Sequence, residues 1–216
     1  MLEKMGAFFE ARLAGYEEHQ LNCIESAREF YPFTAGCLPR TAEAAVLDLG
    51  CGTGLELGYY FELIPTAKIT GVDLAPGMLA ALREKFPDKA LHLIVGSYFD
   101  VPLGACVFDA AVSVESLHHF TKEEKIPLYK NVRNALKPGG WLILTDYFAL
   151  SDEEERSRRA ELLRLKQERG IRDGAFYHFD TPLTVQHETE ALRAAGFSSV
   201  TVLKNWGQTV TLRANR

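Results

Sequence analysis

Val46-Leu47-Asp48-Leu49-Gly50-Cys51-Gly52-Thr53-Gly54 decides how this 216-residue chain is read. From Ala44 to Leu49 the run is almost continuously apolar, the pattern of a strand buried on both faces. Glycine then recurs at every second position, and an amphipathic run from Leu55 to Ile64 leads to Pro65. A strand that ends in glycines and turns into a helix presents bare backbone N–H groups. Without Cβ atoms a ligand can approach closely and φ can be positive. A nucleotide-like cofactor suits such a turn.

The spacing separates cofactors. Dinucleotide turns read G-x-G-x-x-G and aim a helix N-terminus at a pyrophosphate. Here Gly50, Gly52 and Gly54 read G-x-G-x-G, and Asp48 stands two positions before the first glycine. A carboxylate there would repel a pyrophosphate and suit an ammonium group. Asp48-Leu49-Gly50-Cys51-Gly52-Thr53-Gly54 closely resembles the first motif of the class I S-adenosylmethionine-dependent methyltransferases. That resemblance implies a Rossmann-like α/β fold: seven strands, mostly parallel, the last antiparallel, with an N-terminal helical cap. It implies S-adenosyl-L-methionine as cofactor and S-adenosyl-L-homocysteine as product. Cofactor contacts carried over from the turn are Asp48, Gly50, Cys51, Gly52, Thr53 and Gly54.

Bulk properties set the class. The length suits one domain with an embellished core, divided here as cap 1–40, core 41–150, helical insertion or lid 151–183, and final helix plus strand pair 184–216. No apolar run is long enough to cross a bilayer, and Met1 to Arg12 lacks the apolar core of an export signal. Cys23, Cys37, Cys51 and Cys106 form no C-x-x-C pair, which fits reduced thiols and a cytoplasmic location. A net charge of −5 disfavours a dedicated nucleic-acid binder. A small-molecule substrate is therefore the expected partner, no membrane partner is expected, and a homodimer is compatible with the sequence.

Along the chain, residues 1–39 read as helical and aromatic, broken at Gly15, Pro32 and Gly36. Tyr16, followed by Glu17 and Glu18, resembles the Tyr–acid pair ahead of the family's first motif and is placed against the cofactor. Strand and helix then alternate: strand Ala44–Leu49, helix Leu55–Leu63, strand Ile69–Asp73, helix Pro76–Phe86, strand Leu91–Gly96, strand Phe108–Val114, a helix between Thr121 and Leu136, and strand Trp141–Tyr147. Repeated βα units imply a parallel sheet covered on both faces. Thr121 and Glu124 form a capping-box pattern, and Pro127 suggests that the helix restarts there. Ser151 opens a long charged helix that Gly170 would end, with Glu154–Arg158 and Glu155–Arg159 one turn apart. Its arginines, interleaved with acids, read as a solvated face rather than an RNA-facing stripe. Thr184–Ala195 reads as a helix, and Ser199–Leu203 with Gln208–Leu212 as an antiparallel pair.

Further positions bear chemistry. Asp73 ends the second strand, where a carboxylate can accept from both ribose hydroxyls of an adenosine; capping the next helix is the plainer alternative. Leu74 and Met78 would wall the base. Ser97 stands where the family usually has an acid that reads adenine, so Ser97, Tyr98 or backbone groups take that role. Val114 and Glu115 should line the cleft between the first and fourth strands. His118-His119 is not expected to bind metal, because adjacent histidines point apart and no ligand spacing accompanies them. His118 is expected to pack locally at a helix start, and His119 to touch the methionine end of the cofactor or the substrate. Tyr147, Tyr177 and His178 are substrate-side candidates. Glu115, His119, Tyr147 and His178 could each serve as a general base, and the sequence singles out no catalytic residue.

Three rivals remain open at this point. The segment from Asp180 to Phe197 also looks like the tail of carboxy-S-adenosylmethionine synthases, which make a modified cofactor for transfer RNA. A nicotinamide dehydrogenase would want Asp73 but lacks its glycine step here. A non-catalytic methyltransferase-fold subunit would usually have a degraded glycine turn.

Overall fold

The computed structural model describes residues 2–172 and 174–216. The regular elements are α1 (Met5–Glu10), a 3-10 turn at Leu13–Gly15, α2 (Tyr16–Cys23), α3 (Ala27–Gly36), β1 (Ala45–Leu49), α4 (Leu55–Leu63), β2 (Lys68–Asp73), α5 (Pro76–Lys85) and β3 (Ala90–Val95). Then come β4 (Phe108–Val114), α6 (Lys122–Ala135), β5 (Leu136–Tyr147), α7 (Asp152–Glu168), α8 (Val185–Ala194), β6 (Ser199–Trp206) and β7 (Thr209–Asn215). The seven strands form one sheet in the order β3-β2-β1-β4-β5-β7-β6. β1 pairs in parallel with both β2 and β4, whereas β7 runs antiparallel to β5 and β6. The chain thus steps outward from β1 to β3, then returns to β4 on the other side. Where that direction reverses, the loops after β1 and β4 diverge and a crevice opens at their C-terminal ends.

Why the sheet forms is plain from burial. Val46, Leu47 and Leu49 are buried, as are Ala110, Ala111 and Val112 of β4. One face packs Leu47, Leu49, Ala111, Leu142 and Leu144 on α6 and α8; the other packs Val46, Ile69, Ala110 and Ile143 on α3 and α4. Both-face burial is what an all-apolar strand requires.

Several local expectations change. Pro32 does not break α3, and Pro127 does not restart α6. Each proline sits in the sixth helical position and removes one hydrogen bond, to the carbonyl of Arg28 or Glu123, and both of those residues are exposed to water. The capping box forms as read: Thr121 Oγ1 accepts from Glu124 N (3.4 Å) and Glu124 Oε2 from Thr121 N (2.8 Å). β5 leaves α6 directly, with Leu136 opposite Phe108, and regular pairing resumes only at Ala110 and Trp141. Pro138 and Gly139, at φ 80°, occupy that irregular stretch. On α7 the residues of the expected pairs Glu154–Arg158 and Glu155–Arg159 take other partners. Glu154 accepts from Leu150 N (2.9 Å), Glu155 from Thr184 N (2.8 Å), and Arg159 reaches Glu123 (3.4 Å).

A buried charge group fixes α8 to α6. Lys125 Nζ donates to Glu188 Oε2 at 2.5 Å, and the Tyr129 hydroxyl donates to Glu188 Oε1. Among the described residues no helix is long and apolar enough to cross a membrane.

Candidate cofactor and acceptor site

The glycine turn closes β1 as the sequence demands. Gly50 has φ 74°, and a Cβ there would stand 2.0 Å from Ser116 Oγ. Gly52 has φ 49°, and its missing Cβ faces the Tyr16 ring, whose hydroxyl is 3.6 Å away. Left-handed backbone and absent side chains together leave a cradle under Tyr16. Gly52 N donates to Asp73 Oδ2 and Ala75 N to Asp73 Oδ1, both at 2.9 Å. Asp73 therefore holds the residue before α5 and ties the turn to the tip of β2. Each of its oxygens keeps a further lone pair for a ligand.

Beneath the turn lie Asp48 and Glu56, 1% and 4% exposed. Burial raises both carboxyls above their ordinary range; the Glu56 carboxylate adds to this at Asp48, whereas the hydrogen bond with Asp48 works against it at Glu56. Asp48 Oδ2, Thr53 Oγ1 and Glu56 Oε1 are buried with no hydrogen-bond partner among the described residues. Donors are missing at this place, and an ammonium group would supply them.

Two cavities meet at the crevice. A small one of about 40 Å³ is lined by Gly50, Gly52, Asp73, Leu74, Met78, Tyr98 and Ser116, closed by Met5, Phe9 and Tyr16. A larger one of about 770 Å³ is bounded by Phe8, Arg12, Ile24, His118, Tyr147, His178, Asp180, Trp206 and Gln208, among others. Phe9, Tyr16, Glu115 and His119 border both. Small-molecule pockets run to about 300–1,000 Å³, so only the larger cavity has that size as it stands.

Glu115 sits at the junction with φ 49°, a left-handed conformation unusual for a residue with a side chain. Its N–H donates to Thr145 O (2.9 Å), and the Thr209 hydroxyl donates to its Oε1 (3.4 Å). Burial, reinforced by Asp146, pushes its carboxyl up to about 8.

The two histidines do not point apart. Their ring centroids are 4.0 Å from each other, because the 115–120 segment is a turn and not a helix start. His118 Nδ1 meets Asp146 Oδ1 at 2.6 Å, and Asp146 in turn accepts from Leu117 N and Tyr147 N, both at 2.9 Å. His118 Nε2 lies 3.5 Å from Asp180 Oδ1, and His119 Nδ1 lies 3.3 Å from the same oxygen. Burial opposes the His118 imidazolium, but Asp146 and Asp180 outweigh it and lift its pKa to about 10. Burial and the charge of His118 bring His119 down to about 4.

Of the other sequence candidates, Leu74, Met78 and Tyr98 wall the small cavity, and Tyr147 and His178 wall the larger one. Ser97 turns inward on its own loop, accepting from Phe99 N (3.2 Å), and does not line the cavities. Cys51 and Val114 are buried in the core, Thr53 and Gly54 lie under the turn, and Asp48 lies behind it. Tyr177 stays outside: it bridges Lys4, and Lys166 lies 5.5 Å above its ring. His118, Asp146 and Asp180 were not picked from sequence as site residues. Their partners come from β5 and from the segment after α7, which no local spacing connects.

Residues 46–140 match the family model described as a methyltransferase domain. The chain is 34% identical over 164 residues to erythromycin 3''-O-methyltransferase of Saccharopolyspora erythraea, covering 73% of this chain and 51% of that protein. It is 31% identical over 174 residues to carboxy-S-adenosyl-L-methionine synthase of Chromohalobacter salexigens, covering 73% and 63%. It spans about half to two thirds of the length of these two relatives. Human N-acetylserotonin methyltransferase, solved in complex with SAM, superposes with a TM-score of 0.66 at 20% identity, over 96% of this chain and 56% of that one. A methyltransferase from Mesorhizobium loti gives 0.62 at 22%, over 86% and 96%. With its glycine turn, strand order and sequence kinship taken together, the chain belongs to the class I S-adenosylmethionine-dependent methyltransferase family.

Proposed function

We propose that this protein transfers a methyl group from S-adenosylmethionine to a small-molecule acceptor bound in the larger cavity. One observation carries the reading: Phe9, Tyr16, Glu115 and His119 border both cavities, so a donor held at the glycine turn and an acceptor held outside it would meet there. The residues fit the cofactor at three places. Gly52 offers a cradle without a Cβ, Asp73 offers free lone pairs at the wall of the small cavity, and the unpartnered carboxyl oxygens of Asp48 and Glu56 suit an ammonium.

When bound, the cofactor supplies a methyl group already activated by a positive sulfur. The chain's own residues then mainly align and exclude water. Phe9 and Tyr16 present aromatic faces to a cation, an attraction of about 1 kcal/mol. Glu115, buried and held by Thr209 and the Thr145 carbonyl, receives the proton of an acceptor hydroxyl in its ionised form, which its pKa of about 8 makes the minor one at neutral pH. Met5, Phe9 and Tyr16 must move aside to admit a nucleoside, which gives the 1–40 cap and the 151–183 segment the roles of cap and lid. The free cysteines support a cytoplasmic setting.

A second reading has one observation in its favour, the kinship to a carboxy-S-adenosyl-L-methionine synthase. It would make the cofactor itself the substrate.

Calorimetric titration with S-adenosylhomocysteine, followed by mass spectrometry of acceptor mixtures, tests the proposal. One-to-one binding and an added methyl mass on a small molecule are expected. Absence of binding by a chain stripped of co-purified ligand would overturn it.

A further inference from the structure

Three ligand-type atoms converge on the wall of the larger cavity: His118 Nε2, His119 Nδ1 and Asp180 Oδ1, all within 4.8 Å of one another. We infer that His118, His119 and Asp180 form a divalent-metal site, with Asp146 as the positioning residue behind His118. This stands apart from the methyl-transfer reading, because it needs no cofactor.

Two of the three donor spacings are those of a coordination shell. Bonds of about 2.0–2.2 Å to nitrogen and oxygen in a tetrahedron put neighbouring donors roughly 3.3–3.5 Å apart. The two nitrogen-to-Asp180 distances are 3.5 and 3.3 Å. The donor set is also coherent. Two imidazoles and one carboxylate are shared by catalytic zinc sites and non-haem iron(II) sites, both of which keep positions open for water or substrate. Those open positions would face the cavity that His118, His119 and Asp180 line.

The outer shell is already built. A metal-bound histidine usually donates its other N–H to a carboxylate, which sets tautomer and ring orientation. His118 Nδ1 lies 2.6 Å from Asp146 Oδ1, and Asp146 is itself held by the N–H groups of Leu117 and Tyr147. That leaves Nε2 turned toward Asp180. Charge points the same way, since the carboxyls of Glu115, Asp146 and Asp180 all gather around two imidazoles. The rival arrangement has no metal: Asp180 Oδ1 then accepts an N–H from His118, and the His119 Nδ1–H is shared between Asp180 Oδ1 and the Phe179 carbonyl, 3.2 Å away. Borderline divalent ions, zinc or iron(II), match these donors.

The test uses the full chain, stripped with a chelator and titrated with Zn²⁺ and with Co²⁺ as a spectroscopic probe. One-to-one saturable binding is expected, with a visible Co²⁺ band of nitrogen and oxygen ligation. His118→Ala and Asp180→Asn should each weaken binding at least tenfold, and Asp146→Asn roughly tenfold or more. The Asp180 side chain is 45% exposed, so Asp180→Asn keeps the fold if His118→Ala does not. His92→Ala, on an exposed position of β3, should bind as the wild type does. Three results would overturn the site: no saturable binding, unchanged affinity in Asp180→Asn, or a Co²⁺ spectrum dominated by a thiolate band from the free cysteines.

Discussion

Asp48 and Glu56 are hydrogen-bonded beneath the glycine turn, both buried, and each keeps one carboxyl oxygen without a partner among the described residues. The folded protein therefore holds protons here that the unfolded chain would release. Stability from this source is full below the ordinary carboxyl values of 3.8 and 4.5 and is lost as pH rises toward the elevated folded values. Glu56→Gln removes one titrating group and offers Asp48 a donor. It should stabilise the protein at neutral pH by about 1–3 kcal/mol, with the gain shrinking toward pH 4. Thermal melts of both proteins between pH 4 and 8 would show this; parallel curves would refute it.

Asp73 joins two jobs, bracing the Ala75 N–H just ahead of α5 and holding the glycine turn. Asp73→Ala should lower S-adenosylhomocysteine affinity roughly 10- to 100-fold, equivalent to about 1–3 kcal/mol. Calorimetry on a variant with native circular dichroism measures it, and unchanged affinity would remove the ribose role.

Two glycines with similar φ should respond differently. Gly50 has φ 74° and no room beside Ser116, whereas Gly139 has φ 80° and nothing within 4 Å of a Cβ. Gly139→Ala should cost only the conformational term, about 1–2 kcal/mol. Gly50→Ala adds a clash and should cost clearly more in urea denaturation.

Glu115→Gln keeps the shape at the junction while removing a proton acceptor. Turnover of a hydroxyl acceptor should fall roughly 100-fold or more, while S-adenosylhomocysteine affinity stays within a few-fold. Full turnover in the variant would place the proton elsewhere.

Glu188 answers both Lys125 and Tyr129 in a fully buried contact between α6 and α8. Glu188→Ala would strand a buried ammonium, at a cost of about 3–5 kcal/mol. A melting temperature close to the wild type's would sink that account.

The sheet was legible because its signals are local. The apolar run of β1, the glycine turn and each βα step lie within short stretches, and repeated βα units imply a parallel sheet, whereas the seven-strand count and the antiparallel last strand rest on the family resemblance. Helix breaks at Pro32 and Pro127 were misread because one lost hydrogen bond near an exposed carbonyl costs less than a packed helical face returns. The titratable wall was only half legible. His118 lies in the turn after β4, Asp146 lies near the end of β5, and Asp180 arrives from beyond α7; no periodicity joins them. Tyr177 and His178 are adjacent in sequence, yet their side chains part, as in any extended segment.

The first residues of the chain and the 176–178 segment, far apart in sequence, build the cavity wall together. Met5 N donates to Phe176 O at 2.9 Å, His178 N to Glu3 O at 3.0 Å, and the rings of Phe8 and His178 stack 3.5 Å apart. Such contacts close a very large loop, so their entropic cost falls due only after the sheet exists. The pocket is thus a late product of folding. A short, thin seam of this kind is also where a folded chain opens most readily, which makes ligand entry and the first step of unfolding two uses of the same movement.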